Sequence, residues 1–132
     1  MYLPDKIIVA SGPVIIENGK VLLNREKKPI GSDLFMFPGG KVKDFDTSLE
    51  ENCKRETMEE VGVEINILRP LRTLLIKRPE DTTLVILAHY LAERIGEINP
   101  GPDTLEWGWF DIKNLPKNCA PNVYEIIADL KK

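Results

Sequence analysis

Glu56, Glu59 and Glu60 fall within five residues of one another. On a helix each residue advances roughly 100°, so the three carboxylates gather into an arc of about 100°. The same wheel places Leu49, Cys53, Thr57 and Val61 on one i+4 ridge, the natural inward face. Glu56 and Glu60 lie beside that ridge, whereas a helix that needed only solubility would carry its acids on the far side. Like charges at i, i+4 cost a few tenths of a kcal/mol in water, and more where a protein wall lowers the effective dielectric. A divalent cation removes that penalty. An all-oxygen donor set suits Mg²⁺ or Mn²⁺ rather than zinc. An isolated E-x-x-E-E is more often a solvated helix end, so the residues upstream decide between the two.

Upstream stands Phe37-Pro38-Gly39-Gly40-Lys41-Val42. Paired glycines permit positive φ and let backbone atoms approach an ion or a phosphate closely. The apolar run Leu34–Phe37 is expected as a short strand that delivers the chain to this turn. Thr47 with Glu50, or Ser48 with Glu51, makes a capping box that starts the helix. The helix is expected to end near Val61, with Gly62 at C′. Arg55 stands four residues before Glu59, which suits an i, i+4 ion pair.

These residues resemble the Nudix signature: a glycine, then a spaced glutamate, then Arg-Glu-x-x-Glu-Glu-x-Gly-aliphatic. Gly40 opens the match, and Arg55-Glu56-x-x-Glu59-Glu60-x-Gly62-Val63 closes it. The interval from Gly40 to Arg55 is one residue longer than the pattern, so the early glutamate falls on Asp46 or Thr47. Lys43 stands where an acid is common, and Thr57 where an aliphatic residue is usual. The resemblance implies an α/β fold, an α/β/α sandwich with a mixed β-sheet between helices. It implies a pyrophosphohydrolase that uses Mg²⁺ or Mn²⁺ on a nucleoside diphosphate linked to another moiety. By the same resemblance, Glu56, Glu59, Glu60 and the Gly39 carbonyl would hold metal, and Arg55 would orient the glutamates. The general base would be Glu59, Glu60 or Glu106, the last being an acid of the Leu105–Phe110 strand just before its Trp-Phe pair. The expected substrate contacts are Phe37 and Trp107 as stacking groups and Lys41 and Arg25 at phosphate, each with a plain alternative in packing or solvation. Lys27 and Lys28 extend the basic stretch. Pro79, sixteen residues past Val63, matches a spacing found in the family's ADP-ribose pyrophosphatases, although a turn proline needs no such explanation.

The remaining elements must position this helix and turn. Ile7–Ala10 and Val14–Ile16 are expected as strand interrupted at Gly12-Pro13, followed by a hairpin at Asn18-Gly19 and a strand Lys20–Leu23. Val63–Ile67, Leu71–Lys77, a long central Thr83–Ala92 and Leu105–Phe110 complete the strands. The stretch Ile95–Asp103 is a Gly/Pro-rich loop suited to lining a site. After Pro121, the i, i+3, i+4, i+7 pattern Val123, Ile126, Ile127, Leu130 marks a helix that packs on the sheet. His89, the single histidine, is expected to be structural.

The chain's 132 residues suit one domain over 1–132 with a single core. A net charge of −3 gives no general attraction to nucleic acid or to an anionic membrane. No apolar run approaches a membrane span and no leader sequence opens the chain, so a cytoplasmic monomer or homodimer acting on a nucleotide-type small molecule is expected. Cys53 and Cys119 form no disulfide framework. No serine sits in a glycine elbow, one histidine makes a triad a poor fit, and neither a P-loop nor a dinucleotide fingerprint occurs. The alternative function is a non-catalytic nucleotide-sensing module of the same fold. Against it stands the complete set of helix glutamates.

Overall fold

The computed structural model describes residues 6–27, 33–78 and 81–131. Pro79 and the 28–32 stretch, with Lys28, lie outside the described residues. The strands are β1 (Ile7–Glu17), β2 (Lys20–Glu26), β3 (Gly40–Lys41), β4 (Glu64–Pro70), β5 (Leu74–Lys77), β6 (Leu84–Ile95) and β7 (Thr104–Asp111). The helices are α1 (Leu49–Val61) and α2 (Pro121–Leu130). The sheet runs β4-β6-β1-β2-β7, with β3 added to β1 and β5 to β6. It is mixed: β1 and β6 pair in parallel, and the other ladders are antiparallel. This is the α/β arrangement expected, a mixed sheet with a helix on each face.

Strand parity divides the buried side chains between those faces. Val14, Val21, Leu23, Phe35 and Phe37 pack with Val123, Ile126 and Ile127 of α2. Ile15, Leu22, Ala88, Tyr90 and Ala92 pack with Cys53 and Val61 of α1. The ridge expected to point inward from α1 does so, with Cys53, Thr57 and Val61 fully buried. Cys53 and Cys119 thus sit in different cores as free thiols.

Three expectations about strands are corrected. β1 is not interrupted at Gly12-Pro13; it runs unbroken from Ile7 to Glu17. On its β6 side the ladder is continuous from Ile7 to Ile15, with Pro13 opposite Tyr90. On its other side the pairing leaves a gap between Ser11, opposite β3, and Ile16, opposite β2. Pro13, which has no N–H to offer a ladder, stands in that gap. Gly12 is there because the Pro38-Gly39 turn lies directly on it, and a Cβ would collide with the Pro38 carbonyl oxygen. The run Leu34–Phe37 is not a strand but two isolated bridges, Met36 with Asn24 and Phe35 with Cys119, because the chain passes between two elements. Leu71, Arg72 and Thr73 likewise precede rather than join β5.

Candidate active site

Ser48 caps α1, accepting the Glu51 N–H at 3.1 Å, so of the two possible capping boxes the structure uses this residue. At the other end Gly62 adopts the left-handed conformation, φ 65°, and returns its N–H to the Met58 carbonyl. The chain after β6 supplies further donors to this helix end. Asn99 N–H reaches the Val61 carbonyl at 2.8 Å, while Gly101 N–H (2.9 Å) and the Thr104 hydroxyl (2.8 Å) both donate to the Glu60 carbonyl. The same loop brings Pro102 and Asp103 alongside the glutamates, as its composition suggested.

The three glutamates line one cleft of about 230 Å³, together with Glu26, Lys27, Pro102 and Asp103. Glu56 is buried, with 6% of its surface exposed, and presses on the glycine turn: a Cβ on Gly40 would stand 2.5 Å from its carboxyl carbon. Burial pushes the Glu56 carboxyl above its usual range, and repulsion from Glu59 adds to it, with Arg55 and Lys43 opposing. Glu59 is half exposed. Glu60 Oε1 accepts the Asn24 side-chain amide at 3.1 Å and the Gly39 N–H at 3.3 Å. The Glu56 and Glu60 carboxylates therefore lie beside the paired glycines, and Glu59 stands half exposed at the cleft.

Arg55 makes the expected pair with Glu59 at 3.2 Å and also reaches Glu56 at 3.3 Å. Its other amino group donates to Asn52 Oδ1 at 2.6 Å. Asn52 is fully buried and donates to the Gly40 carbonyl and to the Ser11 hydroxyl, both at 2.9 Å. Ser11 in turn donates to the Leu49 carbonyl. One polar network thus joins turn, strand and helix, with every member paired. Among the described residues no three acidic, histidine or cysteine side chains converge on one point. The donors from Arg55, Lys43, Asn24 and Gly39 hold them along the cleft walls instead. The donor set is nevertheless all oxygen, and Glu26 Oε2 is buried with no hydrogen-bond partner. That orphaned acceptor beside the acidic cleft is what a bound cation, or its water, would satisfy.

Other expected site residues lie elsewhere. Phe37 is not a stacking surface; it is 7% exposed and sits in the α2-side core, edge-on to His89 with ring centroids 5.7 Å apart. Glu106 does not join the helix carboxylates. Parity puts it on the α2 side with Phe110, paired to Arg25 at 2.8 Å across β2 and β7. Arg25 is engaged there too, its guanidinium 5.5 Å from the Phe35 ring centroid. Lys41 is exposed on β3, and Gly39 meets Glu60 through its amide. Trp107, opposite Asn24, is half-exposed at the β7 margin on the α1 side. The site members not foreseen are Asn24 and Glu26 of β2, and Asn52. For β2 the signal was present: residues 22, 24 and 26 share one face, and Leu22 packs against α1.

Comparison with known proteins bears directly on this arrangement. Residues 7–130 match the family model described as the NUDIX domain. The chain belongs to the NUDIX family. A MutT NUDIX hydrolase from Burkholderia pseudomallei superposes with a TM-score of 0.86 over 94% of this chain and 98% of its own, at 24% identity, and so shares the NUDIX fold. An oxidized purine nucleoside triphosphate hydrolase of Danio rerio is 26% identical over 103 residues, 78% of this chain and 65% of its own length. An ADP-ribose pyrophosphatase of Methanocaldococcus jannaschii is 32% identical over 110 residues, 83% of this chain and 64% of its own. An NAD-capped RNA hydrolase NudC of Chromobacterium violaceum is 34% identical over 104 residues, 78% of this chain and 38% of its own. The chain thus spans 65% or less of these relatives' lengths. Among the described residues no helix is long and apolar enough to cross a membrane.

Proposed function

We propose that this protein is a divalent-metal-dependent pyrophosphohydrolase that cleaves the phosphoric anhydride of a nucleoside diphosphate linked to another moiety. The observation that carries this reading is the packing of Glu56 and Glu60 against the Gly39-Gly40 turn, within one acidic cleft. Glu56, Glu59 and Glu60 would hold Mg²⁺ or Mn²⁺, with the Gly39 carbonyl as the further ligand that the family resemblance implies. When bound, the ion neutralises phosphate charge and lowers the pKa of a coordinated water.

The chain's own groups account for the rest. Arg55 keeps Glu56 and Glu59 in place through its two ion pairs. Glu59, the half-exposed member of the trio, is the candidate general base, taking the proton of the attacking water. Lys27 is the cation of the lining and faces the incoming phosphates. The substrate is a small nucleotide: a nucleoside triphosphate, ADP-ribose, a nucleotide sugar or a dinucleoside polyphosphate.

The test is a product screen across these four classes with Mg²⁺ and with Mn²⁺, reading the nucleotides formed by chromatography, each repeated in EDTA. Metal-dependent turnover of at least one class is expected. Nucleotide binding without turnover on any of them would convert the reading to a sensing module.

A further inference from the structure

Asn24 is a residue that the signature does not include. It lies in β2 with 1% of its surface exposed. Its backbone is pinned by reciprocal hydrogen bonds to Met36, both 2.9 Å, and it stands opposite Trp107 in the β7 ladder. Parity turns its side chain to the α1 face, where Nδ2 donates to Glu60 Oε1.

Burying an amide without a partner costs about 1–3 kcal/mol, so an apolar residue is the default next to Leu22 and Leu23. The acceptor explains the exception. The Gly39 N–H converges on the same oxygen. Two donors arriving from different elements fix the plane of the carboxylate before anything binds, and the Glu60 backbone is fixed independently by Gly101 and Thr104. Groups that orient a ligating carboxylate in this way are worth about 10–100-fold in metal affinity.

We propose that Asn24 is a positioning residue for Glu60, holding that carboxylate turned into the cleft so that it binds a divalent cation without rearrangement. The proposal rests on the hydrolase reading above.

The experiment is a Mn²⁺ titration of the full chain followed by electron paramagnetic resonance, with the melting temperature of the metal-free protein measured alongside. Asn24→Ala removes the donor, and Asn24→Leu removes it while filling the space, which keeps a folded variant available. Both are expected to weaken Mn²⁺ binding about tenfold or more, while the metal-free melting temperature of Asn24→Leu stays near wild type. In a Glu60→Gln background, adding Asn24→Leu should weaken binding no further, because the effect passes through the residue already changed. Wild-type affinity in Asn24→Leu overturns the proposal alone, as does an undiminished loss in the Glu60→Gln background. A wild-type chain that binds no Mn²⁺ and hydrolyses nothing overturns the hydrolase reading and the proposal together.

Discussion

The two faces of the sheet bury different chemistry. Under α2 the packing is Val14, Val21, Leu23, Phe35, Phe37, Val123, Ile126 and Ile127, with His89 and Asn122 as a polar pair. Under and beside α1, Ser11, Asn24, Asn52, Glu56 and Thr57 are all buried. Polar burial is costly unless each group is paired, and a half-buried carboxylate row costs more still. The α2 face therefore carries stability, and the α1 face accepts a penalty in order to hold an acidic cleft open. Function and stability ought to separate along that line.

The largest test of that separation is on the α1 face. Glu59→Gln and Glu60→Gln should each cut turnover by about 10²–10⁴-fold, with a melting temperature equal to or above wild type, because like-charge repulsion is relieved. Steady-state rates beside thermal melts measure both. Unchanged rates in both variants would remove the carboxylates from the chemistry.

On the opposite face, Ile126→Ala should lower unfolding free energy by about 2–5 kcal/mol, since Ile126 is fully buried. The rate per folded molecule should not move, and urea unfolding paired with kinetics would reveal any leakage between the faces. Smaller again is the effect of the cation. Saturating Mg²⁺ at about 100 times its Kd should add about 2.7 kcal/mol to the wild type, and clearly less to Glu60→Gln, as read by melting with and without EDTA.

The smallest expected effect concerns His89. It lies on β6, with Nδ1 2.9 Å from the Arg72 carbonyl and Nε2 3.1 Å from the Asn122 amide. Burial holds its pKa below the ordinary 6.5, so the unfolded chain takes up a proton that the folded chain resists. Stability is then complete above pH 6.5 and declines as pH falls below it, until the folded imidazole itself titrates. The drop in urea midpoint between about pH 7.5 and 5.5 should shrink in His89→Gln; an identical drop would assign the acid sensitivity to other groups.

Much of this was legible in the residues. The 3.6 period identified α1, its inward ridge and α2, and Asn18-Gly19 identified the hairpin that β1 and β2 form. The i, i+4 spacing of Arg55 and Glu59 gave their ion pair. What escaped were properties of register rather than of composition. Whether Glu106 faces the cleft or the α2 side depends on which face of β7 meets α1, and nothing local to Leu105–Phe110 states it. Phe37 is similar: an aromatic beside a glycine turn reads equally as a stacking surface or as core. Glu26 has the opposite problem. It looks like one charge among several in a polar stretch, and only the fold brings it beside Pro102, Asp103 and the α1 glutamates, with its Oε2 buried. β1 misled because Gly12-Pro13 normally punctuates a strand, whereas here a neighbouring turn demanded the one and tolerated the other.

The central parallel ladder carries a consequence for how the molecule comes into being. Ile7 is matched with Leu84 and Ile15 with Ala92, so the glycine turn, the glutamate helix and strands β2 to β5 all lie within the loop that this pairing closes. During synthesis the first hairpin and the acidic helix are made well before the strand that locks them together, and closing so long an interval is paid in chain entropy. A nascent chain halted before Leu84 would possess Glu26, Glu56, Glu59 and Glu60 but neither β6 nor Pro102 and Asp103, so the cleft is completed only late in synthesis.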